Sequence, residues 1–560
     1  MVGCRALKNG RKKMKGWHQG RIGVLNRRVV SYLYYSLALA LSLASSATLA
    51  ECLNIQVDAD LTSHYSNSWG IDHRNTRYQP TSSLNTKNVA RLELKWAYGL
   101  SDVTPRSFPL VTKDTIFIGD SNHGLVALER ETGCERWVYE HDGLVTSAII
   151  PGNIEHSGAE DQPILVFADR FSGVYAVDAQ TGQLVWHITL EDHLVPLYSG
   201  TPLVTDDTVF IPVSSMEVGL SMNPFYGCCT TSGGMAAYDI KTGKKRWYLP
   251  TIEASAKITG THFGFVEEWG PSGAPVWGAP SYDRKRNWLY FGTGQNYTHP
   301  TTKTSDAIFA VDAETGDVQW IKQFTANDAF NAGCTLSLNH PNCPDDTGPD
   351  VDFGAPTLLA RTQGGEDILL AGQKSGHVHA MDPDTGEVRW SKKLGRGGII
   401  GGVHWGLAVN EASGTVFVPI NDRSAMNYPS PGTPTPGLYA LDIQTGEQLW
   451  QFSRESRCDE EECMYGLSSA ITATNDIVIT GSMDGYLEIM SSTDGKLLWS
   501  YDTWKTYNST NGVEVEGGSL DTHGPMVADD LVMVSSGYRY ISNQRGGNAF
   551  LVFQVAPLND

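Results

Sequence analysis

The chain has 560 residues, of which 41% are hydrophobic, 10% aromatic and 19% charged, a composition that excludes a disordered, collagenous or polytopic membrane protein and requires a large packed core. Its formal charge of −20 is unevenly placed: residues 1–50 hold nine Lys or Arg and no acid, so residues 51–560 set 33 bases against 62 acids, about −29. Such a surface repels phosphate backbones, which argues against nucleic acid as a partner, and it attracts basic proteins.

The chain opens with a basic stretch, an apolar run over 29–43 and then Ser-Ser-Ala-Thr-Leu-Ala ending at Ala50. This order predicts a signal peptide over residues 1–50 and a periplasmic or secreted mature chain over 51–560. The uninterrupted apolar part falls short of the ~20 residues that a membrane span needs, and no second long apolar run follows, so no span is expected after signal removal. Met14 is an alternative start. Eight cysteines remain beyond the signal: Cys52, Cys134, Cys228, Cys229, Cys334, Cys343, Cys458 and Cys463. An even count in an exported chain predicts disulfides. Cys334 with Cys343 and Cys458 with Cys463 are the close pairs, leaving Cys52 with Cys134 and the adjacent Cys228-Cys229. No CxxCH occurs, so no c-type haem is expected on this chain.

A repeat runs through the rest. After the segment WGIDHRNTRYQP at 69–80 comes LELKW, ending at Trp96; there follow ALERETGCERW, AVDAQTGQLVW, AYDIKTGKKRW, AVDAETGDVQW, AMDPDTGEVRW, ALDIQTGEQLW and IMSSTDGKLLW. Their last residues are Trp137, Trp186, Trp247, Trp320, Trp390, Trp450 and Trp499. Seven intervals from Trp96 to Trp499 average about 58 residues, the size of a four-stranded sheet with its loops. Each unit reads as a hairpin: an alternating strand, an Asp-x-x-Thr-Gly turn in which Gly takes φ > 0, and a strand carrying a Trp that spaces neighbouring sheets. Eight such units predict an all-β fold, an eight-bladed β-propeller. It is expected to close by pairing the last alternating stretch, Ala549 to Val555, with the strand leading to Trp96.

Eight units with this AxDxxTGxxxW pattern, together with the 69–80 segment, resemble the pyrroloquinoline quinone (PQQ) dehydrogenases. FYGCCTTSGG, GPSGAPVWGAP, GPDVDFGAP, AGQKSG and GGVHWG most resemble the polyvinyl-alcohol dehydrogenases among them. The resemblance covers residues 60–555 and implies an alcohol dehydrogenase holding PQQ and a metal ion, with a separate soluble cytochrome c as electron acceptor. It places Glu217 (VSSMEVG) and Asn296, or its neighbour Gln295 (YFGTGQNY), as metal ligands, and Trp277 (APVWGAP) beneath the cofactor. Lys374 (AGQKSG) would donate to the quinone oxygens. His404 and Trp405 (GGVHWG) stand where the family contributes to the ring, and the His departs from the methanol-oxidising pattern; a purely structural histidine is the alternative. Cys228 and Cys229, if paired with each other, would form an eight-membered ring over the cofactor.

The base departs further. Where methanol-oxidising relatives carry an Asp, the run FTANDAFNAG has Asn331, and an amide cannot take a hydroxyl proton. Beyond the 334–343 loop, GPDVDFGAP restores an Asp-Phe. Asp352 is therefore expected as the base and metal neighbour, with Asp350, two residues earlier on the same strand face, as a further ligand; Asp328 is a third candidate. An all-oxygen ligand set predicts Ca²⁺, or a lanthanide if both aspartates bind. A competing reading takes the repeat alone and makes the chain a non-catalytic scaffold of the outer-membrane assembly type.

Overall fold

The computed structural model describes Leu61 and residues 64–101, 104–156, 160–422, 431–455, 457, 464–539 and 544–557. The signal-peptide expectation for residues 1–50 and the cysteines Cys52, Cys458 and Cys463 lie outside them. Eight antiparallel sheets follow one another. The first seven begin at Leu110–Val111, Ile150–Ile154, Pro196–Leu197, Ser281–Asp283, Leu358–Arg361, Ala408–Asn410 and Thr472–Ala473. The eighth takes Met526–Ala528, Leu531–Ser536 and Ala549–Val555 from the end of the chain and Leu92–Gly99 from its start. Leu92 pairs with Val555 and Gly99 with Ala549, so the ring closes as the alternating pattern predicts, with Ala549–Val555 flanked on both sides and Leu92–Gly99 as the outer strand of the closing sheet.

The repeat's physics is visible at the blade junctions, although buried Trp137 Nε1 makes no hydrogen bond. The turn glycine takes a left-handed φ, 73° at Gly133 and 79° at Gly316, and the Trp of the preceding blade lies flat against it. A Cβ at either glycine would stand 2.8 Å from that Trp, Trp96 in the first case and Trp247 in the second. The indole N–H then donates to a carbonyl of the next blade: Trp96 to Arg130, Trp186 to Ile240, Trp320 to Pro383, Trp450 to Ser492. Trp499 donates to Leu92 O and so ties the seventh blade to the closing one. Between these spacers, facing sheets share apolar cores, for example Leu289, Phe291 and Phe309 against Phe210 and Met235.

The 69–80 segment locks the ring from one end. Arg77, fully buried, donates to the carbonyls of Trp69, Ile471, His523 and Pro525 and to Thr472 Oγ1. Its guanidinium lies 4.8 Å from the Trp69 ring and 4.6 Å from Phe108. Three insertions sit among the central blades: residues 216–233, which hold the short helix Glu217–Leu220; the hairpin Lys257–His262 and Val266–Gly270; and residues 324–357 with the helix Ala332–Leu336. Among the described residues no helix is long and apolar enough to cross a membrane.

Candidate active site

A cavity of about 190 Å³, partly open to solvent, is lined by residues from loops of many blades. One wall is aromatic. Trp277 meets Trp405 edge to face at 5.5 Å and His404 at 5.9 Å. Trp277 reaches this place because Gly354 has no side chain: a Cβ there would stand 1.8 Å from the indole, and one at Gly278 would stand 2.8 Å from Gly354 O. The two Gly-Ala-Pro segments of the sequence therefore pack on each other and aim the ring.

The opposite chemistry is concentrated around Lys374, which is 4% exposed. Its ammonium donates to Asp350 Oδ1 at 3.0 Å and Asp352 Oδ2 at 3.3 Å and stands 6.0 Å from the Trp277 centroid. The two carboxylates raise its pKa against the desolvation that opposes them. Asp352 is saturated with donors: Gln295 N on Oδ1 at 3.0 Å, and Trp277 Nε1 at 3.0 Å with Lys374 on Oδ2. Asp350 accepts only from Lys374 among the hydrogen bonds found to its side chain. Burial, reinforced by Asp352 and Asp328 and opposed by Lys374, pushes its carboxyl well above the usual range. Asp328 lies behind, accepting the N–H groups of Asp350 and Val351, and burial raises it to about 6. Asp350 has φ 53°, and 349–354 is irregular rather than a strand, so the two acids meet Lys374 through this bend and not through a shared strand face.

Several expected residues stand elsewhere. Glu217 is buried, and its carboxylate is filled by Tyr226 OH, Thr230 N, Thr231 N and the hydroxyls of Thr230 and Thr231; its neighbour Val218, not Glu217, lines the cavity. Asn296 turns away, donating to Ser272 O and Thr302 Oγ1 and accepting from Thr302 N. Gln295 takes the inward place. Its Nε2 donates to Phe330 O, and its buried Oε1 has no partner. Cys228 and Cys229 are disulfide-bonded to each other but pack behind the wall against Val218, Tyr226 and Tyr297. Cys334 pairs with Cys343. Asn331 caps the helix Ala332–Leu336 by accepting from Gly333 N and donates to Tyr297 O and Asn342 O, a structural role. His404 lines the cavity with Nδ1 on Ser468 Oγ at 2.8 Å; burial, with Lys374 and Arg106 nearby, lowers it to about 3, so the ring is neutral.

Sequence reasoning missed the cavity's cationic side. Arg106 lies 4.8 Å over the Trp405 ring and donates to Ser199 O, and Arg170 also lines the space. Asp521, accepting from Gln544 Nε2 and Thr522 N, was likewise missed. These residues sit singly in loops, and only the ring closure brings them to the site.

The family described as glucose/ethanol/alcohol dehydrogenase, β-propeller domain, a PQQ family, matches residues 66–335. A polyvinylalcohol dehydrogenase of Pseudomonas sp is 33% identical over 501 residues, spanning 87% of this chain and 76% of the relative. The chain belongs to the PQQ-dependent alcohol dehydrogenase family. A second polyvinylalcohol dehydrogenase, of Sphingopyxis sp. (strain 113P3), is 31% identical over 506 residues, 89% of this chain and 76% of the relative. The fold matches the crystal structure of a quinohemoprotein alcohol dehydrogenase from Comamonas testosteroni with TM-score 0.63 at 19% identity, over 92% of this chain and 85% of that one. The family of the outer membrane protein assembly factor BamB also matches residues 305–552, as the shared blade repeat leads one to expect.

PQQ-dependent dehydrogenases imply PQQ and a metal ion, and the residues present fit both. PQQ is a flat tricarboxylate: the cavity offers the Trp277 and Trp405 rings with the cations Arg106, Arg170 and Lys374. The unpartnered Gln295 carbonyl and two carboxylates facing one ammonium make an oxygen-rich wall with a net negative charge, which suits a hard cation. Among the described residues no three His, Cys, Asp or Glu side chains converge as a metal cluster, so a donor set here draws on neutral oxygens as well, and the Gln295 carbonyl is placed to be one.

Proposed function

We propose that the protein is an exported quinoprotein dehydrogenase that oxidises alcohols, polymeric secondary alcohols included, with PQQ and Ca²⁺ in this cavity. The convergence of the unpartnered Gln295 carbonyl, the Asp350–Lys374–Asp352 cluster and Trp277 supports this reading. When bound, PQQ and its metal supply an electrophilic carbonyl that accepts hydride from a carbinol carbon. The protein's part is positioning and proton transfer. Asp350 takes the hydroxyl proton, because its carboxylate carries the fewest donors. Asp352, bound by three donors, fixes Trp277, Gln295 and Lys374 in register. Gln295 and Asp352 hold the cation, a lanthanide being the alternative occupant when Asp350 binds as well. Lys374 and Arg106 bind anionic oxygens, and Trp405 with neutral His404 excludes water on the apolar side.

Residues 1–50 serve as the signal peptide and 51–560 as the mature propeller, and a basic soluble cytochrome c receives the electrons on the acidic surface. The scaffold alternative rests on the blade repeat alone and gives no use to a buried lysine with two aspartates. The test is reconstitution of the purified protein with PQQ and Ca²⁺, followed by dye-linked assay over primary, secondary and polymeric alcohols. Dye reduction that needs both additions is expected. Failure to bind PQQ, or binding without oxidation of any alcohol, overturns the proposal.

A further inference from the structure

Fifteen large hydrophobic side chains are exposed among the described residues, and seven of them fall on the three insertions around the helix Glu217–Leu220: Met222, Phe225, Ile258, Phe263, Phe265, Leu336 and Leu338. Most of the others lie on outer blade strands, where isolated exposure is ordinary. The insertions are knitted into one body. His262 Nε2 donates to Pro224 O, and Asn342 Nδ2 donates to the carbonyls of Ser221, Asn223 and Tyr226. Cys229 and Trp269 are joined through backbone hydrogen bonds of 228–229 and 269. On this body Phe225, Phe263 and Phe265 form a row, with ring centroids 5.6 Å and 6.4 Å apart, at 66%, 56% and 70% exposure. The body that carries the row also reaches the cavity: Val218 of its helix lines it, as does Tyr297, against which Val218, Tyr226 and the Cys228–Cys229 pair pack.

We propose that this aromatic ridge is an extended subsite that holds the chain of a polymeric alcohol while one of its carbinol units enters the cavity. The inference rests on the function proposed above and adds where the rest of such a substrate lies. A polymer of alternating methylene and carbinol groups has an apolar backbone that covers ring faces and hydroxyls that stay in water, so it needs a rigid, water-washed row of rings rather than a closed pocket. It is uncharged, so the acidic surface does not repel it. The ridge is anchored through Tyr226 OH to Glu217 and through Asn331 and Asn342 to the 332–343 loop, which gives buried Glu217 its role as a post for this body.

The test compares the PQQ- and Ca²⁺-loaded enzyme with its Phe225→Ala, Phe263→Ala and Phe265→Ala variants, single and combined, on long polyvinyl alcohol and on a small secondary alcohol. The triple variant is expected to lose about tenfold in kcat/KM for the polymer, through KM, and to keep its kcat/KM for the small alcohol. Equal kinetics on both substrates overturn the ridge while leaving the dehydrogenase intact. A wild-type enzyme that oxidises no alcohol refutes the function instead. Sedimentation that shows a wild-type dimer split by the triple substitution, or binding to neutral phospholipid vesicles lost with it, while polymer kinetics stay unchanged, assigns the ridge to a second copy or to a lipid surface and also overturns the proposal.

Discussion

Replacing Asp350 by Asn separates the two carboxylates that face Lys374. The amide keeps an oxygen for the ammonium now 3.0 Å away, and Asp352 still holds Lys374 at 3.3 Å. What the side chain loses is a charge that burial already disfavours, so the stability change is about 1 kcal/mol, the difference between a charged and a neutral hydrogen bond. Its proton affinity is gone, and turnover should fall by about 10²–10⁴, the usual contribution of a positioned base. Asp352→Asn behaves oppositely. Three donors converge on its two oxygens, so in either orientation the amide NH₂ meets an N–H, and each buried donor left without an acceptor costs about 1–3 kcal/mol. That is a large share of the ~5–15 kcal/mol a domain has. Dye-linked turnover with saturating PQQ and Ca²⁺, read beside urea unfolding, measures both. An Asp350→Asn enzyme within about threefold of wild-type turnover, beside an Asp352→Asn enzyme that unfolds normally but is inactive, would reverse the two roles.

Gln295→Ala should weaken the metal more than the fold, because it removes a carbonyl that has no protein partner; a calcium titration followed by activity should shift by tenfold or more (about 1.4 kcal/mol), while Asn296→Ala should cost stability instead, through its bonds to Ser272 and Thr302. His379, His404 and His523 are lowered to about 3, chiefly by burial. Their contribution to stability is full above the unfolded value near 6.5 and is lost as pH falls toward 3, at up to about 4 kcal/mol per pH unit for the three. Asp328, raised to about 6, works in the opposite sense between about pH 4 and 6, as do Asp306, Asp350 and Asp521, whose carboxyls burial also raises. Urea unfolding of the cofactor-free protein should therefore lose stability less steeply from pH 6.5 to 5 when His404 is replaced by Asn, which removes one histidine from the balance, and an unchanged slope would contradict the burial argument. Electron transfer to a cationic cytochrome should slow as salt rises, since residues 51–560 carry about −29 and screening shortens to ~8 Å at physiological ionic strength; a salt-independent rate would remove the acidic face as the docking surface.

The fold was legible because each blade is a local object. Alternation, the Asp-x-x-Thr-Gly turn and the Trp four residues later all lie within eleven residues, and their physical meaning holds in every copy: the Gly at positive φ, the indole on the next blade's turn. Closure through Ala549–Val555 also followed from counting, since a ring of eight needs its last sheet completed by the first strand. The site was legible as far as its segments, and Trp277, Lys374, Asp350, Asp352, His404 and Trp405 all line one cavity. Which atom faces inward was not, because successive side chains of an extended segment point to opposite sides and a shift of one residue exchanges Asn296 for Gln295. The division of labour between Asp350 and Asp352 was equally hidden. It is decided by donors from Gln295, Trp277 and Lys374, which are 57, 75 and 22 residues from Asp352, and by a bend at Asp350 that no local pattern announces. Arg106 and Arg170 carry no signal in their own neighbourhoods, since a lone Arg in a loop reads as surface. Only closure of the ring sets Arg106 over Trp405, some 300 residues away in the chain.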